Sequence, residues 1–317
     1  MLAPVLLLAI TATAAPADLV AAAAASSRPE ECRGASTWHP GASKSIWTTA
    51  RAPELLSYCR WLARANARLA SDPAGAASAA EAAAKLLPSR AAPKVVLGRI
   101  AFAQGKTAEA LKRFDEALAL DPRSIEQPLA MHDLARTRTA AGKLTDALGT
   151  YRLLAPRVSL LPNRQARARA LLEAAHVALA APTPDATTAQ RQVQEALAYL
   201  RQAQRDPHQP LRRDITLSLV LALDRAGRRP QADAVLAELR TSGTSTDDEQ
   251  ARSYLVVKAE GHLFRALIAE RRDAEMARAA YDQYLAEVPS GAYAETARAR
   301  RARLAPKRDR RRRRRGR

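Results

Sequence analysis

The sequence predicts an all-α protein, a solenoid of about five to six helix–turn–helix repeats with a capping helix at its C-terminal end. One observation is a repeated signature of a small residue, an aromatic or large apolar residue four positions later, and a small or apolar residue three further on. Five copies begin at Ala110, Ala147, Ala196, Ala232 and Ala277. Another is the composition, which is 47% hydrophobic but only 4% aromatic. Alanine supplies much of this apolar content, so thin layers of closely packed helices are favoured over one thick core.

Residues 1–17 have the pattern of a secretory signal. An apolar run from Val5 to Ile10 is followed by small residues, and cleavage is expected after Ala17, with Ala14 and Ala25 as the alternatives. The run is too short to span a bilayer. Because no Lys or Arg precedes it, an alanine-rich start of a cytosolic protein stays open as the alternative. Residues 18–52 are predicted to form an irregular lead-in to the helices.

The chain has two cysteines, Cys32 and Cys59. In an exported chain an even number of cysteines favours a disulfide. A bridge across this separation would stabilise the fold by roughly 3–4 kcal/mol in the loop-entropy model. Two free structural thiols are the alternative.

The repeat domain is predicted over 53–304. Its first helices are expected at 53–70, 74–87, 95–104 and 107–120. Leu111, Phe114 and Leu118 form one apolar stripe on the last of these. A turn at Gly105 separates the third helix from the fourth, since glycine ends a helix in the left-handed conformation at little cost. Thr107 is expected to cap the fourth helix.

Residues 91–124 resemble a tetratricopeptide repeat, a helical hairpin of 34 residues. The positions that carry the resemblance are Leu97, Gly98, Gly105, Ala110, Phe114, Ala117 and Pro122. The resemblance implies that Gly98 allows a close approach of the second helix, that Phe114 is the aromatic knob, and that Pro122 terminates the unit. It also implies a right-handed superhelix whose first helices line a concave groove.

Further copies are more degenerate. Glycine turns recur at Gly142 and Gly227, helices are expected near 164–181 and 187–205, and a polar insertion covers 241–248. The final pair, with Tyr281, Tyr284 and a terminal helix over 292–304, is similar to repeats of bacterial cell-envelope proteins. This likeness implies a periplasmic or envelope location, with the cytoplasm as the alternative.

No motif for catalysis is visible. The five histidines are scattered, and the chain has no H-E-x-x-H, no glycine-rich phosphate loop and no G-x-S-x-G. Scattered carboxylates fit the solvated faces of amphipathic helices. We therefore expect a non-enzymatic protein without metal, cofactor or small-molecule substrate.

The resemblance places a partner protein, held as an extended segment or a helix, in the concave groove. Side chains one turn from the packing face of the first helices are the candidate contacts: Arg99, Phe102, His132, Arg136, Leu217, Leu221 and His262.

The formal charge is +19, and residues 305–317 form an arginine-rich tail predicted to be disordered because like charges repel. Its cationic residues are Lys307, Arg308, Arg310, Arg311, Arg312, Arg313, Arg314, Arg315 and Arg317. They favour anionic lipid or lipopolysaccharide. Non-specific nucleic-acid binding by a cytosolic protein is the alternative function. The sequence thus predicts a scaffold or adaptor whose partner is unidentified.

Overall fold

A computed structural model describes residues 53–205, 211–241, 254–270 and 272–304, together with Cys32. The predicted signal, most of the lead-in, the polar insertion after Thr241 and the arginine-rich tail lie outside the described residues. Inside them the secondary structure is helical, and no strand occurs in these ranges.

The described part of the chain forms helices α1 to α13 and one 3-10 turn. Their bounds are α1 Pro53–Arg68, α2 Pro73–Leu86, α3 Ala92–Ala103, α4 Thr107–Leu120, α5 Pro128–Ala140, α6 Leu144–Leu154, the 3-10 turn Ala155–Leu160, α7 Arg164–Ala180, α8 Ala186–Gln204, α9 Arg212–Arg225, α10 Arg229–Thr241, α11 Glu260–Ala269, α12 Ala274–Glu287 and α13 Ala294–Arg303. The predicted bounds agree with these to within three residues.

The helices pack as six antiparallel hairpins, α1/α2 to α11/α12, followed by α13. From hairpin 1 to hairpin 5, the second helix of each hairpin meets the first helix of the next, while first helices contact one another from α1 to α3, α3 to α5 and α7 to α9. First helices therefore form an inner layer and second helices an outer one. The predicted tetratricopeptide-type solenoid is confirmed by this packing.

Three turn glycines have the left-handed backbone that the sequence predicted. The φ angles are +76° at Gly105, +74° at Gly142 and +72° at Gly227. Glycine adopts this conformation without the steric cost that a Cβ imposes. The expected cap at Thr107 is wrong, because α4 begins at Thr107 itself and Lys106 stands at the cap position without a side-chain bond.

Other helices do begin at side-chain caps. Oxygens of Asp72, Asn163, Asp185 and Asp273 accept hydrogen bonds from backbone N–H groups in the first turns of α2, α7, α8 and α12. Such bonds satisfy donors that have no partner within the helix.

The contact between Gly98 and Phe114 holds α3 close to α4. A Cβ added at Gly98 would lie 3.2 Å from two ring carbons of Phe114 and 3.3 Å from the carbonyl oxygen of Ala110. Phe114 is fully buried among residues that include Val95, Ala117 and Leu134. The predicted glycine and aromatic positions thus form one interlocking contact.

Cys32 and Cys59 are joined by a disulfide, with their Cα atoms 5.7 Å apart. Both residues belong to the same apolar cluster as Tyr58 and Leu62 of α1. The bridge attaches a residue of the lead-in to the core of hairpin 1.

Buried charge fixes α13 to hairpins 5 and 6. The guanidinium of Arg300, 2% exposed, contacts the carboxylates of Asp224 on α9, Asp233 on α10 and Glu270 after α11. Burial raises the pKa of Asp224, with Arg300 opposing that shift. One cation therefore links carboxylates from three parts of the chain to α13.

Candidate partner-binding pocket

One cavity of about 330 Å³ opens on the inner layer between hairpins 2 and 4. We call it the inner pocket. Its lining residues are Phe102, Arg136, Thr139, Ala140, Tyr151, Glu173, Val177, Tyr254, Leu255, Val256 and Lys258. They come from α3, α5, α6, α7 and the non-helical segment Tyr254–Lys258, which we call the strap. The pocket therefore exists only when three hairpins and the strap are assembled.

An aromatic ring and a cation form one wall. The guanidinium carbon of Arg136 lies 4.8 Å from the ring centroid of Phe102, and both side chains remain partly exposed. Phe102 comes from the last turn of α3 and Arg136 from the middle of α5. A guanidinium over an aromatic face is held in place while its remaining N–H groups can still bind an acceptor.

Glu173 lies at the base of the pocket, 5% exposed. Its Oε2 is 2.7 Å from Nε2 of His132 and accepts a hydrogen bond from the hydroxyl of Tyr151 at 3.2 Å. Its Oε1 accepts from Nε of Arg169 at 2.8 Å and lies 3.4 Å from Nε of Arg136. Because an ionised carboxylate only accepts, His132 is the donor in its contact. The buried carboxylate is thus fully satisfied by the protein itself.

The charges around Glu173 shift two pKa values. Burial alone would raise the pKa of Glu173, but the hydrogen bond from His132 and the positive charges of His132, Arg136 and Arg169 hold it at about 2. Burial, followed by the negative charge of Glu173, raises the pKa of Tyr151 well above its usual value. Glu173 therefore stays ionised and Tyr151 stays neutral at physiological pH.

Replacing Glu173 by glutamine is expected to remove a pH-dependent part of the stability. The folded pKa of about 2 lies below the unfolded value of 4.5, so ionised Glu173 stabilises the fold above pH 4.5. That contribution, roughly 3 kcal/mol, is lost as the pH falls through the folded pKa. The measurement is the free energy of urea unfolding at several values between pH 7 and pH 2.

The control for this change is Glu109→Gln, since Glu109 is an exposed carboxylate on α4. Wild type and the control should lose stability in parallel over the acid range, while Glu173→Gln should lose less. Parallel slopes for all three proteins would show that the His132 and arginine contacts do not hold Glu173 ionised.

The strap contributes four residues to the lining of the inner pocket. Tyr254 and Leu255 are 5% and 3% exposed, while Lys258 is exposed. Within the described ranges the ammonium group of Lys258 has no hydrogen bond or ion pair. It thus adds positive charge to the rim of the inner pocket, whose lining also contains Arg136.

The structure brings together four of the seven predicted groove residues. Phe102 and Arg136 line the inner pocket, and His132 lies beneath it against Glu173. Arg99 is buried behind them, where its Nε donates to Asp133 at 2.8 Å and its Nη1 to Asn66 at 3.1 Å. His132 and Arg99 therefore position the wall and floor and do not face a ligand.

Three other predicted groove residues are in different places. Leu217 and Leu221 were expected to line the groove, but they are 0% and 1% exposed and belong to the core. The expectation failed because α9 is covered on its inner side by other parts of the chain. His262 lies on α11, with Nε2 2.8 Å from Glu287, and is not part of the inner pocket.

Sequence reasoning missed Tyr151, Glu173, Tyr254 and Lys258. A signal for Glu173 was present, since it is the one charge within the run Leu171–Leu179 of α7. A carboxylate among Ala and Leu residues on a buried helix requires partners. No local sequence pattern indicated that the strap lines the inner pocket.

A second buried polar contact lies next to the strap. Nε2 of His176 is 3.0 Å from the hydroxyl of Ser218, and its Nδ1 is 3.6 Å from Oε2 of Glu260. The order of groups is that of a hydrolytic triad, but Nδ1 of His176 makes no hydrogen bond to Glu260, and Ser218 is 1% exposed within α9. A nucleophile must be reachable by its substrate, so the contact is read as a structural link between α7, α9 and α11.

The described residues offer no metal centre and no membrane span. Among them, no group of three or more His, Cys, Asp or Glu side chains could hold a metal ion. Within the same ranges no helix is long and apolar enough to cross a membrane.

No protein-family model matches the sequence, and no curated protein matches it. Among solved structures, the chain is similar to PilF of Pseudomonas aeruginosa, with 15% identity, 77% of this chain and 97% of that chain covered, and a TM-score of 0.46. It is also similar to TTC0263, a thermophilic TPR protein of Thermus thermophilus. The identity is 26%, the match covers 67% of this chain and 96% of that chain, and the TM-score is 0.38. A chain of the Naa15/Naa10 complex bound to HypK-THB is similar at 18% identity. The match covers 78% of this chain and 36% of that chain, and the TM-score is 0.40.

Proposed function

We propose that this protein is a non-enzymatic scaffold that binds an acidic, partly apolar segment of a partner protein in the inner pocket. The observation that carries the proposal is the presence of aromatic and cationic side chains together in the lining of one cavity. Phe102 and Tyr254 offer apolar surface, while Arg136 and Lys258 offer positive charge. Buried aromatic and arginine contacts dominate the energetics of many interfaces.

The charge balance favours an anionic partner. Glu173, the carboxylate that lines the pocket, is already shared among His132, Arg136 and Arg169. The ammonium group of Lys258 has no hydrogen-bond or ion-pair partner among the described residues. A ligand carboxylate near Lys258 would therefore meet an ammonium charge without an ion-pair partner in the described ranges, whereas Arg136 already lies 3.4 Å from Glu173 and 4.0 Å from Asp133.

The test uses two fluorescein-labelled hexapeptides that each contain Phe-Leu, one flanked by aspartates and one by lysines. The purified chain is expected to bind the aspartate peptide more tightly in fluorescence anisotropy. The charge reversal Lys258→Glu should weaken this binding by about five- to tenfold, because it places a carboxylate at the rim. Raising the salt concentration should weaken it as well.

The matched control is Lys112→Glu, which makes the same change in net charge on the exposed outer helix α4. It should leave the affinity nearly unchanged. Equal losses in both variants, or equal binding of both peptides, would mean that the inner pocket is not the site.

We further propose that the protein is exported and that its tail contacts an anionic surface. The Cys32–Cys59 disulfide supports an oxidising compartment, since such bonds are rare in the cytosol.

The tail from Pro306 to Arg317 contains eight Arg and one Lys against one Asp. Co-sedimentation with anionic and neutral vesicles tests the lipid role, and salt-sensitive RNA binding by a cytosolic protein is the alternative.

A further inference from the structure

Two inner helices each contain a long stretch in which every residue is buried. Every residue from Ala170 to Leu179 of α7 is buried, and so is every residue from Ile215 to Leu223 of α9. A helix that lines an open groove keeps a solvated face. By contrast, α5 leaves Asp133 and Arg136 partly exposed. The groove is thus open at hairpins 2 and 3 and filled at hairpins 4 and 5.

At α7 of hairpin 4 the covering residues include Tyr254 of the strap and Phe264 of α11. The ring of Tyr254 lies 5.4 Å from the imidazole of His176 on α7, and the ring of Phe264 lies 6.5 Å from it. Leu255 lines the inner pocket together with Val177 of α7. The residues in these contacts belong to α7 of hairpin 4, although the strap follows hairpin 5 in the chain.

The strap has the pattern of a bound peptide. The adjacent apolar side chains of Tyr254 and Leu255 are buried against the inner layer. Val256 and Val257 are partly exposed, and Lys258 is exposed to solvent. These five residues lie outside the helices. Insertion of alternate or adjacent anchors into a groove is a common mode of peptide recognition.

We infer that the inner face around His176 and Val177 is a binding slot for a short segment with adjacent aromatic and aliphatic residues. The chain's own strap occupies that slot, so a partner segment of this chemistry must displace it. The inference rests on the proposed function only in placing the partner on the inner layer. It concerns the apolar part of the inner pocket lining, Val177 with Tyr254 and Leu255, and not the cations Arg136 and Lys258.

The strap is part of the same chain as the slot, so it occupies the slot far more readily than a separate peptide does. A short linker gives an effective concentration on the order of millimolar, so a peptide at micromolar concentration does not compete in the wild type. Weakening the binding of the strap to the slot should remove this advantage, and the slot should then bind a separate peptide.

The experiment supplies the strap as a separate peptide. The probe is a fluorescein-labelled nonapeptide with the sequence of residues 252–260, and the protein is the full chain. The double variant Tyr254→Ala, Leu255→Ala is expected to bind this probe at least tenfold more tightly than wild type. A probe with alanine at both anchor positions should bind neither protein.

The matched control variant is Leu153→Ala, Leu160→Ala, which truncates two side chains that are each 60% exposed. It should bind the probe as weakly as wild type. If thermal melting shows that the strap double variant is unfolded, Leu255→Ala alone is compared with wild type, with tighter binding again expected.

Equal binding by wild type and the strap variant, or no binding by a folded strap variant, would overturn the inference. Neither result bears on the aspartate peptide and Lys258, so the two proposals fail separately.

Discussion

Replacing Arg300 by alanine is expected to lower the free energy of unfolding by about 3–5 kcal/mol. The guanidinium donates to Asp224 and Glu270, whose side chains are 5% and 14% exposed. Its removal leaves these carboxylates without their countercharge in a poorly solvated site. Asp233, 45% exposed, can turn to water and should contribute less.

The loss should begin at the C-terminal end, because repeat arrays can unfold locally from one terminus. Hydrogen exchange of α13 and α12 should accelerate before that of α3 and α4. Urea unfolding of the whole chain gives the size of the change. These two measurements together separate local release of α13 from general destabilisation.

Arg301→Ala is the matched control, since Arg301 is 50% exposed on the same helix and pairs with Asp282. It should cost at most about 1 kcal/mol, as exposed ion pairs do. Arg300→Lys should recover only part of the loss, because an ammonium cannot reproduce the planar fork of donors. Similar costs for Arg300→Ala and Arg301→Ala would contradict the role of the buried charge cluster.

Replacing Phe114 by alanine should destabilise hairpins 2 and 3 by roughly 3–5 kcal/mol. The ring is fully buried and fills the space over Gly98, where α3 and α4 approach closely. Truncation leaves a cavity between helices whose backbones are already near one another, so collapse cannot fill it. Chemical denaturation followed by circular dichroism measures the loss.

Leu120→Ala provides the comparison, because Leu120 lies on the same helix and is 46% exposed. It should change the stability by no more than about 0.5 kcal/mol. A similarly small effect of Phe114→Ala would mean that α3 and α4 are not tightly packed against each other.

The helical hairpins could be predicted because they are encoded locally. The spacing of Ala110, Phe114 and Ala117 defines a packing face within a single helix. Gly105, Gly142 and Gly227 mark turns where the backbone needs a positive φ. Such patterns depend on neighbours within a few residues, so the chain determines them without knowledge of the assembled fold.

The binding features were predictable only in part. Phe102 and Arg136 were identified from their place on the inner helices, but Leu217 and Leu221 follow the same rule and are buried. Helical periodicity tells which residues share a face, and it cannot tell whether a distant segment covers that face. For α9, packing against α7, α8, α10 and α13 decides the outcome.

By itself, the sequence determined the all-α fold, the hairpin unit, the turn positions and the terminal helix, because each follows from short-range steric and hydrophobic patterns. Only the tertiary structure decided where charge is buried and where the groove is open. Arg300 meets Asp224 across 76 positions of the chain, and His132 meets Glu173 across 41. Contacts at such separations depend on how successive hairpins stack, so no local pattern specifies them.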